Sequence, residues 1–118
     1  MNKSQLESRL INFSLLIIKI VNSCTSCKAG SHLSNQIVRS GTSVSLNYGE
    51  AQSAESRKDF IHKMKIILKE LRETFITLKL IRSANLSRHK VDVDQAIDEC
   101  NQLISIFVKS VLTAQSKL

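Results

Sequence analysis

The feature that most constrains the fold is the segment spanning residues 36–72, whose two halves are typical of two unlike helices. The first half carries Ser, Gly, Asn and Glu at positions where a buried helix face normally carries Leu. Small side chains let helices approach closely, and buried polar groups need fixed partners. The second half carries Lys and Arg along one side, which suits an anionic neighbour. The segment therefore predicts close packing around a polar set, beside a basic surface.

The composition favours long helices and few turns. The 118 residues include no Pro and only three Gly, whereas the turns of an all-β domain need more of both. A chain of this length builds one hydrophobic core and is too short for two. We therefore predict an all-α chain with a single domain over residues 1–118. Its formal net charge of +7 suits nucleic acid or another anionic surface as a partner.

Two amphipathic helices are predicted in the first half of the chain. Residues 4–7, Ser-Gln-Leu-Glu, have the spacing of a capping box, and apolar residues then recur every three or four positions. We expect this helix to end near Gly30, which can adopt the left-handed conformation of a helix cap. The second helix is predicted over residues 34–52.

Two more helices are predicted in the second half. Ser56 and Asp59 have the spacing of a helix start, and an apolar face follows until about residues 83–85. The polar segment at residues 86–90 is the longest predicted loop. Asp92 then marks the N-terminus of a fourth amphipathic helix, where negative charge is favourable. Four amphipathic helices with short connections predict an antiparallel up-down four-helix bundle.

A row of basic residues on the third helix is the main candidate for a binding surface. Its members are three, four or seven residues apart and therefore share one side of the helix. This basic stripe consists of Lys58, His62, Lys65, Lys69, Arg72 and Lys79. Against a nucleic acid it would neutralise phosphates and release counterions. The alternative is a solvated helix face whose charge is balanced in part by Glu70 and Glu73.

Aromatic residues contribute little to the basic stripe. They make up 4% of the chain, and Phe60 and Phe75 of the third helix are expected to face inward. Proteins that bind single strands stack bases on exposed rings, which this pattern lacks. The sequence therefore favours contact with the phosphate backbone, at low sequence specificity.

The second helix carries polar residues that we expect to form a structural network. The set consists of Arg39, Ser43, Asn47 and Glu50. Buried polar groups require partners, so the expected contacts are Arg39–Glu50 or Asn47–Glu50. Glu50 with Asp59 or Glu73 is also a candidate for an acid–base pair or a carboxylate metal site. Such sites in bundles use Glu-x-x-His pairs, and no Glu here has a His three residues on, so we expect neither a metal nor catalysis.

The Cys24-x-x-Cys27 motif suggests redox or zinc chemistry at first sight. Near the end of the first helix, however, the helix dipole would raise the pKa of its thiols, unlike that of a thioredoxin-type thiol. A zinc site would need two more ligands. His32 lies five residues on, and no fourth ligand is evident because Cys100 falls on a core face. The motif therefore indicates inert packing thiols, and we expect no cofactor, no small-molecule substrate and no enzyme activity.

A second apolar side on two helices predicts contacts between copies of the chain. Ile11, Leu15 and Ile18 lie away from the core-facing residues of the first helix, and Ile61 and Ile76 lie outside the main core face of the third. A helix that is apolar on two sides is usually buried on two sides. We therefore expect a homo-oligomer in which these two patches meet, because a ring larger than a dimer joins two different patches.

Targeting signals are not apparent. Glu7 and Arg9 interrupt the pattern of a secretory signal. The most apolar run, residues 15–21, is broken by Lys19 and is shorter than the roughly 20 residues of a membrane span. Three cysteines, an odd number, are typical of a reducing compartment. We therefore expect a soluble cytoplasmic protein with no membrane partner.

The run RSGTSVSLNYGEAQSAESRKDFIHKMKIILKELRET, residues 39–74, resembles the four-helix-bundle proteins encoded in intervening sequences of bacterial 23S rRNA genes. The matching residues are Arg39, Ser40, Ser43, Asn47, Glu50, Ala51, Ser56, Asp59, Phe60 and Glu73. Residues 6–21, LESRLINFSLLIIKIV, also resemble that family's first helix. Residues 46–49, Leu-Asn-Tyr-Gly, replace a smaller Ala-Asn-Ile-Ala-like stretch, so we expect local packing to differ.

The resemblance implies a pentameric barrel of four-helix protomers and a link to RNA. The accessory protein of diversity-generating retroelements is similar in fold, and it binds nucleic acid and a reverse transcriptase. Our first hypothesis is therefore a non-catalytic basic oligomer that binds RNA or DNA through backbone contacts of the basic stripe. The alternative is a structural or adaptor protein that docks another protein, for example a reverse transcriptase-like partner, without nucleic-acid specificity.

Overall fold

Four α-helices follow one another in the computed structural model, which describes residues 1–118. They are α1 (Lys3–Ser23), α2 (Lys28–Ala51), α3 (Arg57–Ser83) and α4 (Lys90–Ser116). Each helix packs against its neighbour in sequence, and α1 also packs against α4. The result is a square bundle with up-down topology, 47 Å long. The predicted all-α, antiparallel four-helix bundle is confirmed.

The start of α1 is capped differently from the prediction. Asn2 is the N-cap, not Ser4. The Oδ1 of Asn2 accepts from the N–H of Gln5 at 2.8 Å, and the Gln5 side chain accepts from the N–H of Asn2 at 2.9 Å. Two capping patterns overlap here, two residues apart, and the helix uses the earlier one. Each would satisfy two N–H groups that lack partners within the helix.

The connection between α1 and α2 also lies earlier than predicted. α1 ends at Ser23, and Gly30 lies inside the first turn of α2 rather than at a left-handed cap. The physical reason is a long-range contact with the loop that joins α3 and α4. The N–H of Thr25 donates to the carbonyl of Leu86 at 2.8 Å, and the hydroxyls of Ser23 and Ser87 are 2.7 Å apart. These bonds tie the two loops together at one end of the bundle.

The two later helices begin and end close to the predicted residues. The hydroxyl oxygen of Ser56 accepts from the N–H of Asp59 at 3.0 Å, as the start pattern predicts. α3 ends at Ser83, and Asn85 adopts a left-handed conformation with a φ of 58°. Asp92 lies in the first turn of α4, near the positive end of the helix dipole.

Apolar side chains from all four helices fill the space between them. Tyr48 of α2 and Phe107 of α4 meet edge to face, with ring centroids 6.0 Å apart. The helix faces predicted from the apolar periodicity are the faces that the bundle buries. Fully buried members include Leu10, Phe13, Ile17, Ile37, Val44, Ile67, Leu71, Leu78 and Leu103.

Helix α2 contributes small residues where it meets α1 and α3. Gly41 is buried, and a Cβ at this position would lie 2.8 Å from the side chain of Ile17 on α1. The hydroxyl of Ser14 on α1 donates to the carbonyl of Gly41 at 2.8 Å. On the other side, the hydroxyl of Thr74 on α3 donates to that of Ser40 at 2.8 Å. The close approach predicted for this helix occurs at Ser40 and Gly41.

We expect Gly41→Ala to destabilise the bundle, because the added methyl group would overlap the Ile17 side chain. Overpacking of this kind costs about 1–3 kcal/mol. Gly49→Ala is the matched control on the same helix, since a Cβ there meets no atom within 4 Å. Replacing that exposed helical glycine should stabilise the protein by about 0.5–1 kcal/mol. Equal free energies of unfolding for the two variants, measured with urea, would contradict the close approach.

Candidate nucleic-acid interface

The basic stripe lies along the outer side of α3. All six of its side chains are exposed. Residues at these spacings fall within about 100° of the helix circumference, and the stripe is about 32 Å long from Lys58 to Lys79. The structure thus brings the six predicted residues together on one exposed side of a single helix.

The cationic groups of the basic stripe have no carboxylate partner within the protein. Five of its six members are Lys or Arg, which carry a full positive charge at neutral pH. No ion pair of the structure involves a member of the stripe. The ion pairs join Arg9 to Glu99, Lys19 to Asp92, Arg39 to Glu70 and Glu73, Lys63 to Glu50, and Arg82 to Asp94.

Arg39 of α2 pairs with two acidic residues of α3 that border the stripe. Its guanidinium donates to Glu70 at 3.2 Å and also to Glu73. These are the two carboxylates that the sequence predicts to balance part of the charge of the stripe. Exposed ion pairs contribute little to stability. Their effect here is to give these carboxylates a cationic partner on α2 instead of one within the stripe.

One aromatic ring borders the basic stripe. Phe75 packs against the core, as predicted, but is only half-buried, and the ammonium of Lys79 lies 4.4 Å from its ring centroid. Phe60 is also half-buried. The Phe75 ring lines an open hollow of about 400 Å³ between α3 and α4, together with Arg72, Ile76, Asn101 and Ile104. This α3–α4 hollow joins an aromatic and aliphatic surface to the cations of the stripe.

The contacts expected among Arg39, Asn47 and Glu50 do not form. Arg39 and Glu50 are eleven residues apart, about 16 Å along the helix, which is too far for a side-chain contact. Glu50 instead accepts from Lys63 of α3 at 3.2 Å, and Asn47 donates to the carbonyl of Ser43 at 3.0 Å within its own helix. The predicted network is therefore wrong. No group of three or more His, Cys, Asp or Glu residues is arranged to hold a metal ion.

The Cys24-x-x-Cys27 motif spans the connection between two helices, and only Cys24 lies at the end of the first one, as the C-cap of α1. Cys27 is the N-cap of α2, where its Sγ accepts from the N–H of Gly30 at 3.4 Å and lies 3.1 Å from the Thr25 hydroxyl. The Thr25 hydroxyl, and then the Gly30 N–H, lower the pKa of the exposed Cys27 thiol. The expected raised pKa is therefore wrong for Cys27, because α2 begins earlier than predicted. Cys100 is a packing thiol, and burial raises its pKa to about 12.

The residues predicted to contact another copy fall into three environments. Ile11, Leu15 and Ile18 lie together on the exposed side of α1. Ile61 is only 6% exposed and belongs to the core, so its assignment to an interface is wrong. Ile61 lies at the edge of the buried side of α3, where a side chain is buried only if the neighbouring helix packs over it. Ile76 is exposed, but it lines the α3–α4 hollow.

Helix α2, which packs beside α1, also carries an exposed aliphatic side chain. Ser14 of α1 contacts both Gly41 and Ser45 of α2, which fixes the two helices side by side, and Leu46, the residue after Ser45, is 70% exposed. Residues 10–18 and 40–49 contain no charged side chain. We call this surface the uncharged α1–α2 face. In the square bundle it lies across the molecule from the seam between α3 and α4.

Comparison with known proteins identifies a family for this fold. The family of 23S rRNA-intervening sequence proteins matches residues 3–109. The chain belongs to this family. The resemblance noted in the sequence is confirmed over nearly the whole chain.

The fold of this 23S rRNA-intervening sequence family member is similar to that of a solved structure. That structure is a protein of unknown function from the S23 ribosomal protein family of Bacteroides thetaiotaomicron. The two chains are 28% identical, with a TM-score of 0.81 over 94% of this chain and 98% of that chain. No curated protein matches the sequence. None of the four helices has the length and apolar composition that crossing a membrane requires.

Sequence reasoning missed two surfaces of this family member, the α3–α4 hollow and the contribution of Leu46. Asn101 and Ile104 belong to α4 and reach the stripe only because α3 and α4 pack side by side, with the Cys100 thiol donating to the carbonyl of Leu71 at 3.2 Å. The spacing of Asn101 and Ile104 is ordinary for a helix. No local pattern therefore distinguishes them before the helices are packed.

Proposed function

We propose that this protein is a non-catalytic nucleic-acid-binding protein whose basic stripe contacts the phosphate backbone of RNA, or of DNA. The observation that carries the proposal is the row of unpaired Lys and Arg side chains along about 32 Å of α3. A row of free cations attracts a polyanion because each phosphate contact releases condensed counterions. The net charge of +7 adds attraction at longer range.

Binding through the basic stripe would be largely independent of nucleotide sequence. Lys and Arg contacts to phosphates position a protein on a nucleic acid, whereas contacts to base edges read its sequence. The relationship to the 23S rRNA-intervening sequence family supports RNA as the natural polyanion. The pairing of Glu70 and Glu73 with Arg39 supports the stripe as the contact surface, because Arg39 offsets the negative charge that borders the stripe.

We further propose that copies of the chain associate through the uncharged α1–α2 face. Contiguous exposed apolar side chains mark association surfaces, and this face presents Ile11, Leu15, Ile18 and Leu46. Association through the basic side would bring like charges together. Assembly through the opposite face leaves each stripe free, and joining several stripes raises their effective concentration for one long nucleic acid. The family resemblance implies five copies.

Replacing Lys65 and Lys69 together with Glu is expected to abolish binding to duplex RNA. Both side chains are exposed, so the far-UV circular dichroism spectrum should not change. If all five Lys and Arg residues of the stripe contact phosphates, a log–log plot of wild-type affinity against salt should have a slope of about −4.5 on a DNA duplex measured alongside the RNA. Fluorescence anisotropy at several salt concentrations measures both quantities.

Lys109→Glu combined with Lys117→Glu is the matched control, because neither residue belongs to the stripe. Each Lys→Glu change lowers the charge by two, so both double variants go from a formal net charge of +7 to +3. The control should keep most of the wild-type affinity. An equal loss of affinity in both double variants, or wild-type affinity that does not change with salt, would refute the stripe as the contact surface. Absence of wild-type binding would favour the adaptor hypothesis.

Light scattering is expected to give the mass of five 13.2-kDa chains for the wild type. Leu15→Arg with Ile18→Arg should dissociate the assembly and leave each protomer helical, because both side chains lie on the surface. Val91→Arg with Leu112→Arg adds the same charge at exposed apolar positions of α4 and should leave the mass unchanged. A monomeric wild type would refute the assembly. An unchanged mass for the Leu15/Ile18 variant would refute the uncharged α1–α2 face as the surface of association.

A further inference from the structure

We propose that the α3–α4 hollow binds one unpaired nucleobase of an RNA whose phosphates lie on the basic stripe. This inference rests on the proposed function above and adds the kind of RNA that the surface prefers. An unpaired base is a base that is bulged, looped out or at the end of a paired segment. A nucleic acid with such a base beside a paired segment would use the hollow and the stripe at the same time.

The hollow offers an aromatic surface that a base can stack on. Phe75 is half-buried, so the rest of its ring borders the hollow. The Lys79 ammonium lies 4.4 Å from the ring centroid, on an exposed and flexible side chain. A phosphate can draw this ammonium away from the ring. Stacking of a base on an aromatic ring is stronger than an exposed cation–π contact, so the exchange favours the base.

Polar groups of the hollow are free to bind the edge of a base. The Arg72 guanidinium belongs to none of the ion pairs. The main-chain carbonyl of Asn101 accepts a hydrogen bond from the Ser105 hydroxyl. The side-chain amide of Asn101 makes no hydrogen bond within the protein. Arg and Asn are the side chains that pair best with guanine and adenine edges, respectively. Ile76 and Ile104 supply apolar walls for the base.

The hollow lies within the length of the stripe. Arg72 belongs to both surfaces, Lys69 precedes it by about one helical turn, and Lys79 follows it by about two. The volume of about 400 Å³ lies at the small end of the range for sites that hold a small organic group. Phe60, the other aromatic residue of α3, is also half-buried but does not line the hollow. The surface therefore suits phosphates of a paired segment with a single base turned outward.

An acidic peptide with an apolar side chain is the competing occupant of the hollow. Such a peptide would place carboxylates on Arg72 and Lys79 and an aliphatic group against Ile76 and Ile104. The stripe, however, continues towards Lys58, far beyond the reach of one anchor. The length of the cationic row favours the nucleobase.

The test compares two RNA duplexes of about 20 base pairs, longer than the stripe, which differ only by one bulged adenine. Wild-type protein should bind the bulged duplex about 5- to 150-fold more tightly, which is the range that stacking of one base supplies. Asn101→Ala and Phe75→Leu should each reduce this preference, to within about twofold for Phe75→Leu. Neither variant should change affinity for the fully paired duplex.

Asn35→Ala, an exposed asparagine of α2, is the matched control and should keep the full preference. Asn101 is also exposed, so its replacement tests the hollow without risk to the core that Phe75 partly supports. Equal affinity of the wild type for the two duplexes would overturn this inference and leave the proposed function intact. If the wild type shows no salt-sensitive binding to either duplex, the proposed function itself is refuted. If an acidic, Leu-containing peptide displaces the bulged duplex and free adenosine monophosphate does not, the nucleobase is not the occupant of the hollow and the inference is also overturned.

Discussion

The close approach of α2 to both of its neighbours is the constraint on which the rest of the structure depends. Gly41 lets the side chain of Ile17 lie against the α2 backbone, and Ser40 accepts a hydrogen bond from Thr74 of α3. Side chains as large as Leu at these two positions would separate the helices. Because α2 lies close to α3, Arg39 reaches two carboxylates of α3 at once. Small residues inside the bundle therefore determine where charge lies on its surface.

This arrangement gives the molecule two unlike sides. On α3, Glu70 and Glu73 pair with Arg39 of α2 while the cations of the basic stripe face solvent without partners. Across the bundle, the uncharged α1–α2 face presents aliphatic side chains and no charge between residues 40 and 49. Like charges keep the basic sides of two copies apart, and the hydrophobic effect favours contact through the other side. One square bundle can thus present a polyanion-binding surface and an association surface together.

The sequence predicts the four helices and the members of the basic stripe because both follow from local helical periodicity. It predicts contacts between helices less well, since these depend on packing. The sequence places the end of α1 too late, because the hydrogen bond from Thr25 to Leu86 that ends it joins two loops far apart in sequence. For the same reason the sequence places Cys27 near the end of α1 and predicts a raised thiol pKa, whereas the pKa is lowered. The sequence assigns Ile61 to an interface because a residue at the edge of a helix face is buried or exposed according to the helix packed beside it.

The central claim is that nucleic acid contacts the outer side of α3 and the adjoining α3–α4 hollow, and not the other sides of the bundle. Lysine acetylation with and without duplex RNA, followed by mass spectrometry of the modified peptides, tests it most directly. The account predicts that RNA protects Lys58, Lys65, Lys69 and Lys79 and leaves Lys19, Lys28 and Lys109 as reactive as before. Protection spread evenly over all of these lysines, or confined to those outside α3, would contradict it.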